Sequence, residues 1–67
     1  MAIAKVIEIL AEGESIEAAI EKAVATAGQT VKNIRSAYIN DIQAIVRDEA
    51  VVKYRLNVKL TFVVEDT

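Results

Sequence analysis

Residues 52–64 alternate between apolar and polar side chains over their whole length. The apolar side chains come at every second position: Val52, Tyr54, Leu56, Val58, Leu60, Phe62 and Val64. Between them lie the polar residues Lys53, Arg55, Asn57, Lys59 and Thr61. Because successive side chains of a strand point to opposite faces, the pattern predicts a sheet with one apolar face and one basic, polar face.

The apolar face needs more cover than this chain can supply. With 67 residues, the chain is expected to form a single domain over residues 1–67. A domain of this size buries only about 60% of the surface that its unfolded chain exposes. The sequence contains no cysteine for a disulfide and no histidine for an ordinary zinc site. Since 54% of the residues are hydrophobic and one helix is predicted, we expect other copies of the chain to cover the sheet.

The remaining sequence predicts a strand, a helix and a second strand before the long alternating segment. Residues 3–10 are typical of a strand, and residues 11–14 of a polar turn. Ser15 is expected to cap the helix rather than to act as a nucleophile. The helix should present apolar residues at three- and four-residue spacing: Ile16, Ala19, Ile20, Ala23, Val24, Ala27 and Val31. It should end between Val31 and Ile34, with Gly28 inside it, where a close approach to the sheet would explain the glycine.

Residues 35–47 predict a second strand, and residues 47–50 a turn into the third, which makes a β-hairpin. The predicted fold class is therefore α+β with the order β-α-β-β. Placing the most regularly apolar strand in the centre gives a three-stranded antiparallel sheet of order 1-3-2, with the helix across one face.

Several classes of function are disfavoured by the composition. The formal charge of −2 comes from well-mixed charges, and only three residues are aromatic (Tyr38, Tyr54 and Phe62), so no nucleic-acid partner is expected. No apolar run approaches the roughly 20 residues that cross a bilayer, and no secretion signal is visible, so we expect no membrane partner and a cytoplasmic location. Without histidine, cysteine or a glycine-rich phosphate loop, the chain is not expected to be an enzyme.

Two sets of charged residues leave alternatives open. The acidic residues of the turns and tail are Asp41, Asp48, Glu49, Glu65 and Asp66. They are interpreted first as solvated charges, and otherwise as cation ligands shared between copies of the chain. The basic row of Lys53, Arg55 and Lys59 either pairs with Glu8 and Asp41 on adjacent strands or forms an anion or cofactor site at a subunit junction.

Four segments, in this order and at this length, resemble the dodecin family. They are KVIEI (5–9), SIEAAIEKA (15–23), TVKNI (30–34) and KYRLNVKLTF (53–62), and the resemblance spans essentially the whole chain. It implies a curved antiparallel sheet that half-wraps one helix, and assembly as a hollow homododecamer. Many dodecins store flavins at subunit junctions without catalysing a reaction.

The resemblance also implies a ligand site, from which this sequence departs. Flavin-binding dodecins have a stacking tryptophan where this chain has Ser36, and a glutamine where it has Arg55. Asp41 coincides with an acidic position near the flavin. Together with Arg35, these residues are the candidate ligand-binding positions. The combination of Arg35 and Arg55 without an aromatic residue at position 36 resembles the flavin-poor branch described as calcium dodecins.

The expected function is thus a non-enzymatic cage that binds, stores or buffers small ligands. Binding of FMN or riboflavin is expected to be weak or lost, because serine offers no stacking surface. A calcium or anion site between subunits is the alternative, and a purely structural oligomer is a further one. The sequence assigns no metal ligands, and flavin (FMN or riboflavin) and calcium are the candidate cofactors.

Overall fold

The computed structural model describes residues 2–66, with the side chains of residues 3–64. The elements are β1 (Ala2–Gly13), α1 (Ile16–Ala27), β2 (Ile34–Arg47) and β3 (Ala50–Asp66). Both β1 and β2 pair antiparallel with β3, so the sheet order is β1-β3-β2. The predicted fold class, element order and central position of the third strand are confirmed.

The helix begins as predicted but ends earlier. Ser15 is the N-cap, and its Oγ accepts a hydrogen bond of 3.0 Å from the backbone N–H of Ala18. The last helical residue is Ala27, and Gly28 follows as the C-cap, with its N–H bonded to the Val24 carbonyl oxygen at 2.8 Å. The predicted end between positions 31 and 34 was wrong. Within residues 2–66, no helix is long and apolar enough to cross a membrane.

The glycine that lies close to another element is Gly13, not Gly28. A Cβ atom on Gly13 would lie 2.7 Å from the backbone nitrogen of Ala19 and 3.0 Å from its Cα. A Cβ atom on Gly28 would contact only carbonyl oxygens of the preceding helix. The first turn of α1 therefore packs directly against the end of β1, and the predicted approach of Gly28 to the sheet was wrong.

The first strand is longer than predicted. Residues 11–13, expected to form a turn, continue β1 and pair with β3 as Ala11↔Leu56, Glu12↔Arg55 and Gly13↔Tyr54. A polar residue such as Glu12 does not interrupt a strand when its side chain lies on the solvent face. This extension places Glu12 beside the basic residues of β3.

The β2–β3 hairpin turns through two residues, within the predicted segment 47–50. Asp48 and Glu49 have φ values of 53° and 66°. Positive φ at both central residues is the geometry of a type I′ turn, whose twist matches that of hairpin strands. The third strand therefore starts at Ala50, the last residue of the predicted turn.

The buried core is small and lies between α1 and one face of the sheet. Six apolar residues are buried there: Ala11, Ala19, Ala23, Leu56, Val58 and Leu60. The 12-residue helix is about 18 Å long, whereas the 17 residues of β3 span roughly 56 Å. Much of the sheet therefore lies beyond the helix.

Candidate functional site

The sheet face turned away from the helix, here called the outer face, carries most of the polar side chains of β3. The register aligns its residues in four cross-strand rows: Val6–Thr61–Ser36, Glu8–Lys59–Tyr38, Leu10–Asn57–Asp41 and Glu12–Arg55–Gln43. The register of β2 shifts between Ile39 and Asp41, which brings Asp41 opposite Asn57. The outer face thus combines cations, carboxylates and amides with uncovered apolar side chains.

One carboxylate binds two cations at one end of this face. Arg55 Nε donates a hydrogen bond of 2.7 Å to Glu12 Oε2, and Lys53 Nζ lies 2.9 Å from Glu12 Oε1. The hydrogen bonds from Lys53 and then from Arg55 hold the pKa of Glu12 below its ordinary value of 4.5. Each carboxylate oxygen of Glu12 therefore serves one cation.

The partner of Arg55 and Lys53 differs from the residues suggested by the sequence. Glu8 and Asp41 were the expected partners, but the ion pairs of Lys53 and Arg55 are made with Glu12. The error follows from ending the first strand at residue 10, which placed Glu12 in a turn. The alternation of Glu8, Leu10 and Glu12 along β1 is the signal that would have placed Glu12 on the outer face.

Two open cavities meet at Arg55. The first has a volume of about 370 Å³ and lies on the outer face, lined by Leu10, Asp41, Ile42, Gln43, Arg55 and Asn57. The second has a volume of about 670 Å³ and lies between β1 and α1, lined by Ile9, Leu10, Ala11, Glu12, Lys22, Ala23, Thr26 and Arg55. Both volumes are in the range of small-molecule sites, which combine apolar walls with a few polar groups.

The four sequence-predicted site residues do not meet within one chain. Asp41 and Arg55 lie in neighbouring rows and line the same 370 Å³ cavity. Ser36 pairs with Thr61, six residues along β3 from Arg55, which corresponds to about 20 Å. Arg35 is exposed at the register shift between Ile34 and Ser36. A site using all four positions requires residues from more than one copy.

One buried hydrogen-bond acceptor beside Arg55, the side-chain oxygen of Asn57, lacks a donor in the described part of the chain. Asp41 Oδ2 accepts a hydrogen bond of 3.3 Å from Asn40 Nδ2. Among the side chains described, the buried Oδ1 of Asn57 has no hydrogen-bond partner. A sheltered carbonyl oxygen without a donor is unfavourable. Asn57 is therefore a residue whose amide would gain a bond if a neighbouring donor moved towards it.

The acidic residues do not form a recognisable metal centre in one chain. Across the part of the chain that the structure describes, no three Asp or Glu side chains lie close enough together to hold a metal ion. Asp48 and Glu49 occupy the hairpin turn, while the side chains of Glu65 and Asp66 lie outside the described ones. The predicted cation site would use acidic residues from different copies of the chain, so it stays a prediction.

Known structures with this fold include several dodecins. A Thermus thermophilus protein, tt0972, superimposes with a TM-score of 0.90 at 25% identity, over 100% of both chains. The dodecin of Streptomyces davaonensis has a TM-score of 0.88 at 17% identity, covering 97% of each chain. The dodecin of Streptomyces coelicolor has a TM-score of 0.88 at 21% identity, covering 98% of this chain and 96% of that one.

The family model for dodecin matches residues 3–65, whereas no curated protein matches the sequence. That match includes all three strands and the helix, and it agrees with the β-α-β-β order and the 1-3-2 sheet. The chain therefore belongs to the dodecin family.

Proposed function

We propose that the protein is a non-enzymatic, homododecameric cage that binds small ligands at sites completed by neighbouring subunits. The observation that carries this proposal is the amount of apolar surface that one chain leaves uncovered. Large apolar side chains exposed by 40% or more occur in all three strands: Ile3, Val6, Leu10, Tyr38, Ile42, Val46, Val51, Val52 and Val64. Surface of this kind marks an interface between proteins.

The size of the particle in solution tests the assembly. Since one chain has a mass of 7.3 kDa, a dodecamer has a mass of about 88 kDa. Analytical ultracentrifugation and mass photometry at sub-micromolar protein should find that mass. A folded monomer at the same concentration would contradict the cage and every site built from several subunits.

For the ligand, we propose a small molecule that uses Arg55 and Asp41 on the outer face. Arg55 offers a planar set of donors, and Leu10 supplies an apolar wall to the same 370 Å³ cavity. Flavin binding is weak or lost in this proposal because Ser36 cannot stack on a ring. The missing stacking contributes about 1 kcal/mol beyond the burial of area, and burial of a large side chain contributes about 2–3 kcal/mol.

Restoring an aromatic residue tests this explanation. Ser36→Trp should strengthen binding of FMN and riboflavin by at least about tenfold, measured by quenching of flavin fluorescence. Tyr38→Trp is the matched control, because it adds an indole two residues away on the same strand and the same face. If both variants bind flavin equally, or if the unaltered protein quenches riboflavin strongly, position 36 does not set flavin affinity.

A calcium or anion site between subunits is the second candidate. The anion version is favoured by Lys53 and Arg55, which lie together at one end of the outer face. The calcium version rests on acidic residues of different chains and is tested by calorimetric titration with calcium after chelator treatment. If calcium produces neither a heat of binding nor a thermal shift, the calcium version is wrong. A purely structural oligomer would follow if purified protein also carries no small molecule in mass spectrometry.

A further inference from the structure

The Glu12 carboxylate is paired with Lys53 and Arg55, the two cations that an anionic ligand of the outer face would use. Its oxygens bind Arg55 Nε at 2.7 Å and Lys53 Nζ at 2.9 Å. Arg55 lines both cavities, and Glu12 lines the one between β1 and α1. The donors of Arg55 are therefore shared between an internal carboxylate and any molecule in either cavity.

We propose that Glu12 is a specificity-determining residue, which competes with ligands for Arg55 and Lys53. This inference rests on the proposed ligand-binding function. A ligand gains from displacing Glu12 only if it brings a negative charge and at least two acceptor oxygens, one for each cation. The chemical class that fits is a phosphate- or carboxylate-bearing small molecule, because the arginine fork pairs with such groups in a planar, two-bonded geometry. A neutral ligand gains nothing by the exchange.

The ion pairs of Glu12 with Lys53 and Arg55 are exposed enough for a dissolved anion to displace the Glu12 carboxylate. In the single chain, the side chains of Glu12, Lys53 and Arg55 are 38%, 40% and 43% exposed. Ion pairs at such exposure are weak and exchange their partners with solvent and dissolved ions. An anion arriving from solution can therefore take the place of Glu12 without unfolding the strand end.

Calorimetric titration of the assembled protein with pyrophosphate at neutral pH and low salt tests the competition. Glu12→Gln keeps the shape of the side chain but removes its charge, so it should raise pyrophosphate affinity about two- to fivefold. Glu8→Gln is the matched control, because it removes one charge from the same face of the same strand, opposite Lys59. Both variants lose one negative charge, so a difference in pyrophosphate affinity between them does not come from net charge.

The outcomes separate this inference from the proposed site. If Arg55→Ala weakens binding but Glu12→Gln and Glu8→Gln bind equally, Glu12 does not compete and only this inference fails. If Arg55→Ala binds pyrophosphate as the unaltered protein does, the outer-face anion site itself is wrong. Binding that appears only in Glu12→Gln supports the competition, and the absence of heat in every variant overturns it.

Discussion

Two residues at the end of β1 affect the packing of the helix and the charges of the outer face. Gly13 lets the first turn of α1 approach the strand, and its neighbour Glu12 forms ion pairs with Lys53 and Arg55 of β3. Both effects depend on β1 continuing to residue 13. The two residues therefore carry separate predictions, one for packing and one for charge.

Gly13→Ala should destabilise the protein by about 1–3 kcal/mol, because the new Cβ would lie 2.7 Å from the backbone nitrogen of Ala19. That atom belongs to the first turns of the helix, so relief requires α1 to move from β1. Gly28→Ala is the control, since its Cβ would lie 3.1 Å from the Val24 carbonyl oxygen at a φ of −65°. Urea unfolding measures both, and equal stability of the two variants would contradict the close approach at Gly13.

Acid should weaken the ion pairs of Glu12. Because the pKa of Glu12 is lower in the folded chain than its ordinary value of 4.5, the unfolded state takes up this proton first as pH falls. The contribution is complete above that value and is lost as pH falls through the lower, folded pKa. Stability measured between neutral pH and pH 3 should therefore fall less steeply in Glu12→Gln than in Glu8→Gln, which keeps the ion pairs. Parallel curves for the two variants would count against the effect.

At the scale of elements, the central strand carries the largest buried side chains. Leu56, Val58 and Leu60 are fully buried, while the helix contributes the buried alanines Ala19 and Ala23. Small residues on α1 allow the helix to lie close to the sheet, and the larger ones on β3 fill the space between them. The strand is thus the main source of buried apolar area.

Val58→Asp should unfold the chain, because it places an unpaired carboxylate in the core at a cost of several kcal/mol. The control is Ala25→Asp, the same charge at an exposed position of the helix. Circular dichroism should find lost structure in Val58→Asp and retained secondary structure in Ala25→Asp. A folded Val58→Asp protein would mean that the core is not where the sheet and helix place it.

At the scale of the whole molecule, one chain is too thin to enclose its apolar residues. Its extents are 52 × 20 × 13 Å and its radius of gyration is 13.9 Å, whereas a compact chain of this length has about 11 Å. The β2–β3 hairpin carries Val46, Val51 and Val52 at its end, each more than 40% exposed. Such a shape is understandable if neighbouring copies cover the hairpin.

Val46→Lys should weaken assembly, because it places a charge on an apolar hairpin side chain that is 62% exposed in the single chain. Ala25→Lys adds the same charge at an exposed position of the helix and serves as the control. Sedimentation velocity should find smaller particles for Val46→Lys and unchanged particles for Ala25→Lys. Unchanged sedimentation of Val46→Lys would exclude the hairpin end from the interfaces.

Local patterns in the sequence determined the element types, the helix N-cap, the hairpin turn and the central position of β3. Each depends on neighbouring residues or on a period of two or 3.6, so it can be read along the chain. The end of β1, the partner of Arg55 and the separation of Ser36 from Arg55 were decided only by the tertiary structure. These features depend on the register between strands that are distant in sequence, and a shift of register moves a side chain to another partner or to the other face.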